Sequence, residues 1–149
     1  MPRKNRKPGL PPALSPSDYA RLAAFRYSLR RFLHFSEAAA ARVGLTGQQY
    51  QAMLVVRARA APVSINDLAR ELLIRHHSAV GLVDRLAAHG HLVRDRDRAD
   101  RRRVLIRLTP KGERELRKLV SVHRRKLRRI GPEIHRILGE LAGAWREEG

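Results

Sequence analysis

The chain has 149 residues, one domain's worth, with 32 lysines and arginines against 14 acids and a formal net charge of +18. It has no cysteine, which excludes thiol catalysis, disulfides and cysteine-ligated zinc. No apolar run approaches the roughly 18 residues that a membrane span needs, and a field this positive draws polyanions, nucleic acid first.

Residues 1–14 (MPRKNRKPGLPPAL) read as a disordered basic arm, proline-broken and with no apolar segment behind its charges, so not a signal peptide. Arg3, Lys4, Arg6 and Lys7 either follow a DNA backbone or form a solvated tail. The whole is expected to be a cytoplasmic protein.

From Ser17 to about Arg42, apolar residues at Leu22, Phe25, Leu29 and Phe32 mark one face of a long amphipathic helix, which Gly44 ends. A second helix starts at Leu45–Tyr50. Thr46 and Gln49 have capping-box spacing, Leu45 can staple onto Tyr50, and Met53, Leu54 and Val56 continue it to Pro62. Pro62-Val63-Ser64 reads as an extended link. Ser64 and Asp67 form another cap-like pair, opening a third helix from Ile65 to Leu73 with Leu68 and Leu72 inward. A fourth begins about Arg75, buries Val80, Val83 and Leu86 with Leu82 beside them, and stops at Gly90. Two short helices in tandem make a helix-turn-helix candidate.

Residues 94–103, RDRDRADRRR, are ordinarily read as solvated surface. Here His91–Arg94 leads into the run, and Val104, Ile106 and Leu108 alternate inward after it, with Leu105 and Arg107 outward. The run is then the arginine-loaded end of a two-stranded hairpin. Thr109-Pro110 caps a long helix with the stripe Leu116, Leu119, Val120, His123, Leu127. Gly131-Pro132 is expected to break it, leaving a last helix with Ile134, Ile137, Leu138, Leu141 and Trp145.

A helix-turn-helix followed at once by a hairpin is a winged helix. The fold class is therefore mainly α with a small β-hairpin wing, in one domain over residues 15–149. The winged helix-turn-helix takes about 62–109, flanked by dimerisation helices at about 17–42 and 110–148. The outer helices cannot bury their stripes on so small a centre, which points to a homodimer.

Seven histidines invite a metal reading, but His76/His77 and His89/His91 lack the i, i+4 spacing of a helical zinc motif. No metal and no cofactor are expected. No phosphate loop and no Ser/His/Asp order stand out, so the chain does not read as an enzyme. Phe32, Phe35, Tyr50 and Met53 either line an effector pocket or are plain core.

The stretch 64–112 resembles the MarR family of bacterial transcription regulators. The resemblance rests on LVDRL (82–86) before the wing, Asp100-Arg101-Arg102 within it, and Leu108-Thr109-Pro110-Lys111-Gly112 after it. It implies a homodimeric regulator of double-stranded DNA, in many relatives altered by a small aromatic or phenolic molecule. It also implies that the fourth helix enters the major groove with Arg75, His76, His77 and Ser78. Gly81 departs from relatives that carry a longer side chain there, and Val80 offers no hydrogen bond, so DNA shape should contribute more. Arg101 is the implied minor-groove residue, Asp100 and Arg102 brace the tip by pairing, and Arg96 and Arg98 add phosphate contacts. Ser64 touches phosphate, caps its helix, or does both. The expected function is a sequence-specific regulator, a repressor released by a small ligand, acting on an inverted-repeat operator. The alternatives are a non-specific architectural nucleic-acid-binding protein, or a regulator without effector response.

Overall fold

The computed structural model describes residues 13–144; the basic arm up to residue 12 and Trp145 lie outside the described residues. In chain order the elements are α1 (Pro16–Ala41), α2 (Gly47–Ala58), β1 (Val63–Ser64), α3 (Ile65–Leu72), α4 (His76–Ala88), β2 (Leu92–Arg96), β3 (Val104–Leu108) and α5 (Pro110–Ala144). The chain divides into two compact units, residues 31–129 and, separately, residues 1–30 with 130–149. Both α1 and α5 contribute to each.

In the unit 31–129, α2 begins as its sequence dictates. Gly44 takes φ +74 after α1, a conformation that favours glycine. Thr46 Oγ1 then accepts the Gln49 N–H at 3.1 Å while Gln49 Oε1 accepts the Thr46 N–H at 2.9 Å. Leu45 and Tyr50 flank that cap in the core. The helix stops at Ala58, short of the expected Pro62, with Arg59 already extended; Pro62 has no N–H to return to the Ala58 carbonyl.

The extended link is more than a link. Val63 and Ser64 pair antiparallel with Ile106 and Leu105, making a three-stranded sheet of order β1-β3-β2 where a two-stranded hairpin was expected. A two-residue strand has no alternation to read in sequence. β2 and β3 pair from Leu92↔Leu108 to Arg96↔Val104, with Ile106 and Leu108 buried.

In α3, Leu68 is buried. The helix closes on Leu73, which takes the left-handed φ +54 and is 92% exposed; that position ordinarily favours glycine. The inner face of α4 is Ala79, Leu82, Val83 and Leu86, a spacing of 3, 4 and 7 that defines one helical face. Val80, expected inside, lies off that face and is only half-buried.

The N-terminus of α5 is locked onto the corner between α4 and β2. Thr109 Oγ1 donates to the Gly90 carbonyl and accepts the Gly112 N–H at 3.0 Å. A Cβ on Gly112 would sit 2.2 Å from the His91 carbonyl oxygen, so only glycine permits that approach. The expected break at Gly131-Pro132 does not occur, and α5 is one helix with Pro132 inside it. The proline removes one backbone donor. Gly131, however, does not take a left-handed turn, and helix-forming residues on both sides carry the backbone through.

In the other unit, the Ser15 N–H and hydroxyl donate to Asp18 Oδ2 at 2.8 and 2.6 Å, fixing the start of α1, and Ile137 and Leu141 are buried. Among the described residues, no helix is long and apolar enough to cross a membrane.

Candidate nucleic-acid interface

The first turn of α4 is open to solvent. Arg75 is its N-cap residue without a side-chain cap, and Arg75, His76, His77 and Ser78 are all exposed. His76 Nδ1 lies 2.6 Å from Asn66 Oδ1 on α3. With that carbonyl oxygen as acceptor, Nδ1 holds the proton, and Nε2 of the neutral ring is left as an acceptor facing outward. That acceptor suits an amino group on a base edge.

Gly81 leaves a gap that the sequence alone did not fill. The nearest atom to a Cβ there would be the Arg85 guanidinium, at 3.5 Å, so Arg85, one turn on and exposed, covers the vacated surface. The i, i+4 spacing of Gly81 and Arg85 was the available signal.

The wing is held to the helix-turn-helix through Asp67. Its carboxylate accepts the Ser64 N–H at 3.0 Å, the Ser64 hydroxyl at 2.8 Å, Arg70 at 2.6 Å and Arg103 at 3.1 Å. The Ser64 backbone and hydroxyl bonds, followed by the two arginines, hold Asp67 well below the usual carboxylate range against the opposing effect of burial. Ser64 is itself buried, with its hydroxyl committed to this cap, so its capping role is the one in evidence.

Residues 94–96 of the arginine run lie in β2, not at the tip. Arg94 pairs with Asp84 of α4, and Asp95 with Arg107 across the sheet at 2.9 Å. The tip is a backbone construction. Asp97 Oδ1 accepts the Ala99 N–H and Asp100 Oδ1 the Arg102 N–H, each at 3.0 Å, while the Arg103 N–H donates to the Asp100 carbonyl at 2.9 Å. Bracing by pairing between Asp100 and Arg102 thus takes another form: Asp100 holds the backbone of Arg102, and Arg103 makes the side-chain pair. The aspartates fold the turn, and among the described residues the guanidinium groups of Arg96, Arg98, Arg101 and Arg102 form no ion pair. A cleft of about 450 Å³ joins wing and helices, lined by Ser64, Asn66, His76, Asp100, Arg102 and Arg103.

Phe32, Phe35 and Tyr50 gather around His123. Tyr50 stacks on its ring at 4.5 Å, and Phe35 and Phe32 meet it edge-on at 5.5 and 6.0 Å. His123 Nδ1 donates to the Leu119 carbonyl at 2.7 Å, and Nε2 meets the Ser36 hydroxyl at 2.8 Å. Met53 is fully buried. The sequence placed His123 on a stripe but not at the centre of an aromatic cluster.

Residues 43–103 match the model of the MarR family. Over those residues the winged helix is similar to that of the MarR family. Among solved structures, AbsC, a MarR-family transcriptional regulator from Streptomyces coelicolor, is 21% identical with a TM-score of 0.74, over 89% of this chain and 91% of that one. A probable transcriptional regulator from Pseudomonas aeruginosa is 25% identical with a TM-score of 0.63, over 80% and 91%. A mutant of MepR from S. aureus, bound to an oligodeoxyribonucleotide, is 18% identical with a TM-score of 0.64, over 88% and 98%. No curated protein matches the sequence. The MarR-type segment takes in α2 to the wing tip, so it contains α4, Asp67 and the unpaired arginines.

Proposed function

We propose that the chain is a homodimeric, sequence-specific regulator of double-stranded DNA, a repressor released by a small aromatic or phenolic ligand. The observation that carries the DNA-binding reading is the pairing pattern of the wing. Its aspartates are consumed in shaping the turn, which leaves Arg96, Arg98, Arg101 and Arg102 without ionic partners beside an open recognition-helix turn. In this reading Arg75, His76, His77 and Ser78 face the major groove, with Arg85 beside them. Arg101 enters the minor groove, where the phosphate potentials overlap most strongly. The MepR mutant bound to an oligonucleotide, with a similar fold, supports it.

Homodimerisation is supported by apolar side chains left in water by the single chain: Leu22, Leu29 and Leu33 on α1 and Leu127 and Leu138 on α5 are each at least 40% exposed. Two-fold symmetry gives an inverted-repeat operator with half-sites about 34 Å apart. Phe32, Phe35 and Tyr50, gathered at His123, and the buried Met53 are the proposed effector contacts, the three rings forming an aromatic wall suited to a flat ligand.

The test is fluorescence anisotropy on the DNA upstream of the chain's own gene, with random duplex as competitor. Binding that survives competitor supports a site-specific regulator, and Arg101→Ala should then weaken it about tenfold at A·T-rich flanks. Unchanged affinity there would remove Arg101 from the minor groove. The net charge of +18 favours a second reading, a non-specific architectural protein, and binding that competitor abolishes would support it.

A further inference from the structure

Beyond the wing, α5 carries a second cationic surface inside the same unit, residues 31–129. At 3.6 residues per turn, Arg114, Arg117, Lys118, Arg125, Arg128 and Arg129 fall within an arc of about 120°, running about 22 Å along the axis. Ser121 lies in the middle of the arc. All six cations are exposed, and the arc lies opposite the buried positions Leu116, Leu119 and His123. From residue 116 to residue 132 the sequence has no acid. Lys118 reaches back to Glu115 at 3.3 Å and Arg125 to the Ser121 hydroxyl at 3.4 Å. Arg114, Arg117, Arg128 and Arg129 make no ion pair among the described residues.

A solvated helix face ordinarily alternates its charges, because opposite pairs at i, i+4 stabilise it and like pairs destabilise it. This face has like charges at 114/118, 114/117, 125/128 and 125/129, a repulsion that a polyanion would relieve. The chemistry selects among polyanions. Arginine forks match phosphate oxygens. The face has no aromatic side chains for stacking the bases of a single strand. Nor does the arc hold an apolar side chain between residues 114 and 129 to enter a bilayer.

We propose that this stripe binds the backbone of duplex DNA as a second, sequence-independent contact. The inference goes beyond the proposed regulator but rests on its premise that the chain binds duplex DNA. The stripe adds affinity and salt dependence, and leaves site selection to α4 and the wing.

The test is the salt dependence of binding to operator and to random duplex, using the full chain and the triple variant Arg117→Gln/Arg125→Gln/Arg128→Gln. Glutamine keeps helix propensity, and thermal melting checks the fold. With about 0.9 of log–log slope per phosphate contact, the variant's slope should fall by roughly 2 to 3 for each bound protomer. The ratio of operator to random affinity should stay within about twofold. The matching triple lysine variant should retain the slope. An unchanged slope in the folded glutamine variant overturns the stripe, as does an unchanged slope accompanied by lost binding to polyglutamate. If the triple variant fails to fold, each single glutamine variant should remove about 0.9 for each bound protomer, and the absence of that change is equally fatal. Wild-type protein that binds no duplex sinks the DNA-binding reading itself; a selective wild type with an unaltered variant sinks only the stripe.

Discussion

His91 is buried, and its Nδ1 has no hydrogen-bond partner among the described residues. Burial, then the nearby charges of Lys111 and His89, lower its pKa below the ordinary 6.5, opposed by Glu115. Below about pH 6.5 the unfolded chain takes up this proton more readily than the folded one, so stability falls as pH drops through that range. Above it both forms are neutral and the contribution is flat. Urea midpoints measured from pH 7.5 to 5 should therefore fall more steeply for the wild type than for His91→Leu. Parallel curves would show that the site does not titrate as its burial implies.

Asp67 shifts in the opposite sense. Its stabilising contribution is present above its ordinary pKa of 3.8 and is lost only as pH falls through the lower folded value. Around neutrality Asp67 is a fixed charge. Asp67→Ala should cost about 1 to 2 kcal/mol in urea unfolding, through the lost cap and the hydroxyl left without its acceptor. Arg103→Ala should barely move stability, because its guanidinium is half exposed. It should instead weaken DNA binding several-fold by freeing the wing, as read by anisotropy. Equal effects of the two variants on folding would contradict this division.

At the scale of elements, the boundaries written in local chemistry were legible. The Thr46–Gln49 and Ser64–Asp67 boxes form as their spacing implies, and Thr109-Pro110 starts α5. What escaped depended on neighbours distant in sequence. β1 is a strand only because β3 is there to pair with it, and Gly131-Pro132 contains a break signal that the surrounding helix overrides. Gly112 joins the two kinds of information. It stands in the Thr-Pro-Lys-Gly run, yet its necessity lies in the His91 carbonyl, 21 positions upstream. Gly112→Ala must push α5 from the α4–β2 corner, at an expected cost of about 1 to 3 kcal/mol. A chemical-denaturation midpoint unchanged from wild type would mean that the corner yields freely.

For the whole molecule, the exposed leucines of α1 and α5 make the assembly state the decisive quantity. Sedimentation should give a dimer, with a melting temperature that rises with protein concentration. Leu33→Glu, placing a charge where the side chain is 60% exposed in the single chain, should shift the equilibrium to monomer and weaken operator binding with it. A monomeric wild type that binds one half-site would overturn the dimeric reading.

The sequence by itself determined the winged helix and most of its helix starts, because caps, apolar periodicity and turn residues act over three or four positions and need no knowledge of the rest of the chain. It also singled out the arginine run and the first turn of α4. Only the tertiary structure decided which charges are spent and which are free. Asp67 takes Arg103 from 36 positions away, Asp95 takes Arg107, and Asp97 and Asp100 turn inward to the backbone. Arg85 lies over Gly81, and Phe32, Phe35 and Tyr50 close around His123. Ion pairs and ring contacts depend on distances of a few ångströms between residues far apart in the chain, and only folding sets those distances.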